Sequence, residues 1–170
     1  MMQLISLLAF ASGVGIAFGG LLISKRTLPH HFVTLSITLF FTFSIYLGML
    51  LGQWVGQLIG IPLISIIIGL FCVVFIVFCF LHYHPTLGFF HSEDKKIWIS
   101  TFLLFLFMGL EYATADLSKW FVILFGFIFL LSVIGGARVQ HRIYERLWRN
   151  PIPSFLPLVL LLFIAVMKLL

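Results

Sequence analysis

Charge is what this sequence has least of. Charged residues occupy 9% of the 170 positions, against about 25% in an average soluble domain. A soluble fold of this size could not hide so much apolar surface, so the scarcity excludes the soluble classes and predicts an all-α integral membrane protein. Cysteine is scarce too. Cys72 and Cys79 fall on one predicted helix, about 10 Å apart along its axis. That is too far for a mutual disulfide or a shared metal centre, and both read as buried small hydrophobes. Catalytic signatures are missing: there is no nucleophile elbow, phosphate loop or HExxH. Neither a nucleophile nor a haem-ligand pair on facing helices stands out, so neither an enzyme nor a resident cofactor is expected. No basic stretch precedes the first apolar run, which opens Met1-Met2-Gln3, and no cleavable signal peptide is expected.

What remains is apolar. Hydrophobic residues make up 62% of the chain, 21 of them Phe, and the mean hydropathy is +1.23. A window of about 20 residues reads six transmembrane spans. They cover 4–24, 32–59, 63–81, 97–115, 120–137 and 154–170. The chain is then one transmembrane domain, 1–170, made of two three-helix halves, 4–81 and 97–170. The polar segment 82–96 joins them and contains His82, His84, His91, Glu93, Asp94, Lys95 and Lys96. These histidines match no zinc spacing and read as interfacial loop residues, with a metal-sensing loop as the sharper alternative.

The net charge of +5 does not point to nucleic acid, because the charges lie in short loops between apolar runs. Lys25, Arg26, Lys95, Lys96, Arg138, Arg142, Arg146 and Arg149 fall on one side, and only Lys119 and Lys168 on the other. Positive charge stays cytoplasmic, which predicts both termini outside. Arg138, Arg142 and Arg146 recur every fourth residue and form one stripe on a helix. The plain reading is a cytoplasmic extension of the fifth span beside anionic headgroups. Lipid or nucleotide recognition is the alternative. The bilayer is the expected partner, together with a second copy or another membrane protein.

The two halves can be laid over one another. Leu47-Gly48 with Gln53 matches Ile134-Gly135 with Gln140, and proline opens the next span in each half, at Pro62 and at Pro151/Pro153. Gly13 pairs with Gly109, which puts Gly15 opposite or one residue from Glu111. Three spans is an odd number, so the halves would be an inverted 3+3 repeat, as in secondary transporters. Gly13, Gly15, Gly19 and Gly20 cluster in the first span, and Gly48, Gly52, Gly56 and Gly60 form a strict four-residue ladder in the second. These are small-xxx-small surfaces for close helix packing, with a substrate path shaped by that close approach as the functional alternative.

Glu111 is the anomaly. It is a carboxylate in an apolar span, where an ionisable group costs about 2.5–3.5 kcal/mol or more and usually faces a bundle interior or a water-filled path. The bland alternative is a residue near a helix end that reaches water or bonds a neighbouring helix. Thr114 shares its face, Asp116 lies just beyond, and Gln53 and Gln57 sit beside the glycine ladder. Hard cations take oxygen ligands of this kind. The candidate ion or metal site is Glu111 with Thr114, Gln53 and Ser12, between spans one, two, four and five.

The runs Leu7-Leu-Ala-Phe-Ala-Ser-Gly-Val-Gly-Ile-Ala-Phe, Leu47 to Gly60, and Gly109-Leu-Glu-Tyr-Ala resemble the MntP-type manganese-efflux family within the LysE-like transporters, and its YtaF-type sporulation relatives. The resemblance covers the whole chain loosely. It implies a bacterial cytoplasmic (inner) membrane location, a 3+3 inverted repeat, a basic segment after span five, and a divalent cation as cargo. It also implies an acid in both the first and the fourth span. Glu111 takes the fourth-span place. The first-span place falls on Gly15, which has no side chain. Two functions follow from that departure: a transporter-like protein, for divalent-cation efflux or degenerate from it, and a non-transporting membrane assembly or sporulation-associated partner.

Overall fold

A computed structural model of the chain describes residues 2–23, 31–55, 61–83, 89–90, 95–115, 117–146 and 152–169. Among them every regular element is helical: α1 Met2–Leu22, α2 His31–Val55, α3 Ile61–Leu81, α4 Lys95–Thr114, α5 Phe121–Arg146, and a 3-10 turn Ile152–Phe155 leading into α6 Leu156–Leu169. The first five are long and apolar enough to cross a membrane; the helical stretch Pro153–Leu169 is apolar but shorter. This is consistent with a multi-pass membrane protein.

The apolar runs become helices because a helix satisfies its own backbone where no water can. Side-chain hydroxyls within them follow the same rule. Thr38, Ser44 and Thr101 each donate to the carbonyl one turn earlier, at Thr34, Phe40 and Ile97, so these three hydroxyls are satisfied without water. The outer faces carry exposed Leu39, Phe43, Leu70, Phe80, Phe127, Val159 and Phe163. A soluble monomer rarely exposes apolar surface on this scale.

The contacts fix the directions. Gly48 and Gly52 of α2 meet Leu106 and Leu110 of α4, so these two run parallel; Gly15 and Gly19 of α1 meet Phe129 and Val133 of α5, so these also run parallel. Ser65 meets Glu111 and Phe71 meets Phe107, which sets α3 antiparallel to α4. Gly13 meets Ile164 and Gly20 meets Pro157, which sets α1 antiparallel to α6. Helices α2, α4 and α6 therefore finish at one end, here the Thr114 end, and α1, α3 and α5 at the other, the Arg146 end. Phe41 and Phe129 stack at the centre, 3.7 Å between centroids and 7° from parallel. Phe105 and Phe18 pack around them.

Most expected span limits agree with these elements. The second span was expected to reach Ile59, and its last four residues lie outside the described ones. The fifth span and its basic stretch form a single helix to Arg146, with Arg138, Arg142 and Arg146 exposed along it. Both cysteines are buried and free.

Candidate functional site

Glu111 lies in the last turn of α4, three residues before its end. A carboxylate there opposes the negative end of the helix dipole. It is nonetheless buried, its side chain retaining 6% of its exposure. Lys168, in the last turn of α6, resolves the conflict. Its Nζ donates to Glu111 Oε1 at 2.5 Å, and the side chain keeps 11% of its exposure. Ser65 Oγ of α3 donates to the same oxygen at 3.2 Å. Glu111 Oε2 is buried with no hydrogen-bond partner among the described residues, and so is the hydroxyl of the adjacent Tyr112, whose ring stacks on Phe125. Lys168 Nζ also stands 5.0 Å from the centroid of the buried Phe10 ring on α1, within cation–π range.

One carboxylate thus draws α3, α4 and α6 together at the Thr114 end. Removing Lys168 would strand the buried carboxylate, which typically costs about 3–5 kcal/mol at a buried pair. Another cation could take the ammonium's place only if Lys168 moved. Its position at the tip of α6, on a long flexible stem, gives the ammonium a short route to water.

The other expected ligands do not converge here. Thr114 Oγ1 donates to the Glu111 main-chain carbonyl at 2.8 Å, a helix-end bond rather than a ligand position. Ser12 donates to Ala9 O at 2.9 Å on its own helix. Gln53 is exposed on α2. Gln57 and Asp116 lie outside the described residues, as do Gly56, Gly60, His84, His91, Glu93 and Asp94. Gly15 does not face Glu111: an added Cβ there would press on Ser132 and the Phe129 carbonyl of α5. No cluster of three His, Cys, Asp or Glu that could hold a metal occurs among the described residues.

The glycines serve packing inside the molecule. A Cβ at Gly48 would overlap the Leu106 carbonyl oxygen, one at Gly109 the Ile45 carbonyl oxygen, and one at Gly52 the Ala113 side chain. Gly13 is closed by Ile164.

The opposite end is tied without charge. Ser154 Oγ accepts from Tyr144 Oη at 3.0 Å and from Tyr83 Oη at 3.3 Å, and the buried Gln140 amide donates to the Pro153 carbonyl. These bonds join the end of α3, α5 and the turn before α6.

Lys168 and Ser65 were not among the sequence-derived site residues. Lys168 had a readable signal. With six alternating spans the fourth and sixth end together, so the acid at the end of one and the base at the end of the other share a depth. Ser65 carried no such signal, because a lone hydroxyl in an apolar helix ordinarily bonds its own backbone.

No family model, curated protein or solved structure matches this chain.

Proposed function

We propose that this chain is a small transporter-like protein of the bacterial cytoplasmic membrane, built from two oppositely oriented three-helix halves, with Glu111 as the group that holds the transported cation. The observation that carries the reading is the buried Glu111 carboxylate, with one oxygen on Lys168 and Ser65 and the other without a hydrogen-bond partner among the described residues.

Helix packing supports the two-half reading. At the α2–α4 crossing, Gly48 abuts the Leu106 carbonyl and Gly109 abuts the Ile45 carbonyl; at the α1–α5 crossing, Gly136 abuts the Ile16 carbonyl and Gly19 abuts the Val133 carbonyl. Each carbonyl lies three residues before the partner helix's glycine. Exchanging α1 with α4 and α2 with α5 turns one crossing into the other. The exchange also sends Phe41 to Phe129, the two rings stacked at the centre. Buried and exposed positions along α1 and α4, and along α2 and α5, follow the same register. This register differs from the one read in the sequence. Gly48 corresponds to Gly136 rather than Gly135, and Gly109 to Gly19 rather than Gly13. Leu21, not Gly15, is then the counterpart of Glu111. Inverted repeats of this kind carry alternating access in secondary transporters. Both termini would lie outside, with the arginine stripe on the cytoplasmic side.

Manganese, the cargo that the resemblance implies, suits the site less well than a singly charged ion. A hard divalent ion takes about six oxygens and more than one negative charge, whereas Glu111 is one carboxylate already neutralised by Lys168. The reading predicts flux of a monovalent cation or proton across proteoliposomes, and at least a tenfold loss of it in Glu111→Gln. Wild-type protein that carries none of a panel of protons, sodium, potassium, small ammonium ions and manganese would sink it, as would flux indifferent to Glu111→Gln.

The same neutralised pair favours a second reading, a non-transporting assembly or sporulation-associated partner in which Glu111 and Lys168 are a fixed staple. Retention of complex formation by a folded Glu111→Gln/Lys168→Met protein, with no flux in the wild type, would select it.

A further inference from the structure

We propose that the Glu111 site is a binding site for a small primary alkylammonium ion, and that Lys168 occupies it as a tethered copy of that ligand. The inference rests on the reading that Glu111 holds an exchangeable cation, and it names the class.

The lysine side chain is an alkylammonium on four methylenes, so its surroundings describe what such an ion needs. The charge meets Glu111 Oε1 at 2.5 Å and the Phe10 ring face at 5.0 Å. A cavity of about 240 Å³ opens between α1 and α6 and borders Lys168 and Phe10, with Ser6, Ile164 and Met167 also among its lining residues. Its walls are apolar apart from Ser6 and Lys168, which suits a hydrocarbon tail. Pockets for drug-sized ligands run to about 300–1,000 Å³, so this one suits a ligand below drug size. An ammonium carries three donors. Glu111 Oε2, buried and without a hydrogen-bond partner among the described residues, is a second acceptor beside Oε1, whereas Lys168 uses Oε1 alone.

Other cations fit less well. A quaternary ammonium has no N–H to give the carboxylate. Sodium and manganese want a shell of oxygens, and the site offers one carboxylate, one hydroxyl and a ring. A primary ammonium uses all that is present: the carboxylate for its N–H groups, the ring for its charge, and the cavity for its tail. Entry of the ligand sends the Lys168 ammonium to solvent, so the buried carboxylate is never left without a counter-charge.

The test is a titration of the purified full-length protein in detergent, read by thermal unfolding, with n-propylammonium, tetramethylammonium, sodium and manganese. Wild-type protein should show saturable stabilisation by n-propylammonium and none of comparable affinity by the other three. Lys168→Ala, which removes the tethered competitor, should bind n-propylammonium at least tenfold more tightly. Glu111→Gln/Lys168→Ala should lose the response, and Phe10→Leu should weaken it several-fold. A response confined to Lys168→Ala, with the wild type silent at every concentration, would make Lys168 a permanent plug and overturn the proposal. Equal binding of sodium or tetramethylammonium, or a response that survives loss of Glu111, would overturn it as well. If Lys168→Ala does not fold, the wild-type titration still decides. Propylammonium binding without flux of any ion would keep the site and defeat the transport reading; flux of another cation without propylammonium binding would do the reverse.

Discussion

At the Thr114 end the helices are tied by a charge pair, Glu111 to Lys168 with Ser65 beside it. At the Arg146 end they are tied by neutral groups, Tyr83 and Tyr144 on Ser154 and Gln140 on the Pro153 carbonyl. The framework under the two ties is nearly the same. Glycines bring α2 against α4 and α1 against α5 through equivalent carbonyl contacts. Ser65 near the start of α3 serves one tie and Ser154 near the start of the last helical stretch the other. Similar crossings therefore end in unequal chemistry. All five acidic residues lie at position 93 or later, so the first half has nothing to build a second charge pair from. A neutral hydrogen bond contributes about 0.5–1.5 kcal/mol net and breaks without stranding a charge. A buried ion pair opens only when another charge or a proton replaces one partner. Parting the groups at the Arg146 end strands no charge; parting the pair at the Thr114 end leaves the Glu111 carboxylate without its counter-charge.

The largest effect expected from this contrast is at Lys168. Lys168→Met should lower stability by about 3–5 kcal/mol by stranding the Glu111 carboxylate, measured as the loss of unfolding free energy in detergent. Glu111→Leu/Lys168→Met should recover most of that loss, because the removal of both charges leaves nothing unpaired. A double variant as unstable as the single one would mean that packing, not charge, fastens this end.

Next come the crossings. Gly48→Ala and Gly136→Ala each place a methyl group on a carbonyl oxygen of the facing helix. Overpacking of this kind costs about 1–3 kcal/mol, more where backbone rather than a side chain must move. If the crossings are equivalent, the two losses should agree within about 0.5 kcal/mol. Unequal losses would break the comparison at its root.

Tyr144→Phe addresses the neutral tie. It removes the donor to Ser154 while Tyr83 still donates, so about 1 kcal/mol is expected. Losses from Tyr83→Phe and Tyr144→Phe that far exceed this would make the Arg146 end a cooperative network rather than a loose one.

How much of this could be read in the sequence follows from what each residue does locally. The long apolar runs declare helices because length and composition alone decide them, and Glu111 declares itself by cost. The arginine stripe continues α5 because nothing after Ala137 breaks a helix. Depth is what a sequence hides. Lys168 passes for a topology charge beyond the membrane, because only packing shows its stem turned inward across Phe10 to α4. Thr114, Gln53 and Ser12 carry the right atoms for a cation, but a hydroxyl within an apolar helix bonds its own backbone first, and a helix's rotation about its axis is not written in a few residues. Gln53 and Gly52 are neighbours, yet one faces outward and the other packs on Ala113.

The smallest expected effect is the sharpest probe of register. Gly135 and Gly136 are adjacent and indistinguishable by residue type, yet an added Cβ at Gly135 meets nothing within 4 Å while one at Gly136 strikes Ile16. Gly135→Ala should therefore be neutral or stabilise by about 0.4–1 kcal/mol through the unfolded chain's lost freedom, against a clear loss for Gly136→Ala. This one-residue difference decides whether α5 meets α1 through the same carbonyl contact by which α2 meets α4. If Gly136 is the crossing glycine, the pairing that sets Leu21, an apolar side chain, against Glu111 keeps its support. If Gly135→Ala proved the damaging change, α5 would be rotated by about 100°, and the equivalence of the two crossings would fail.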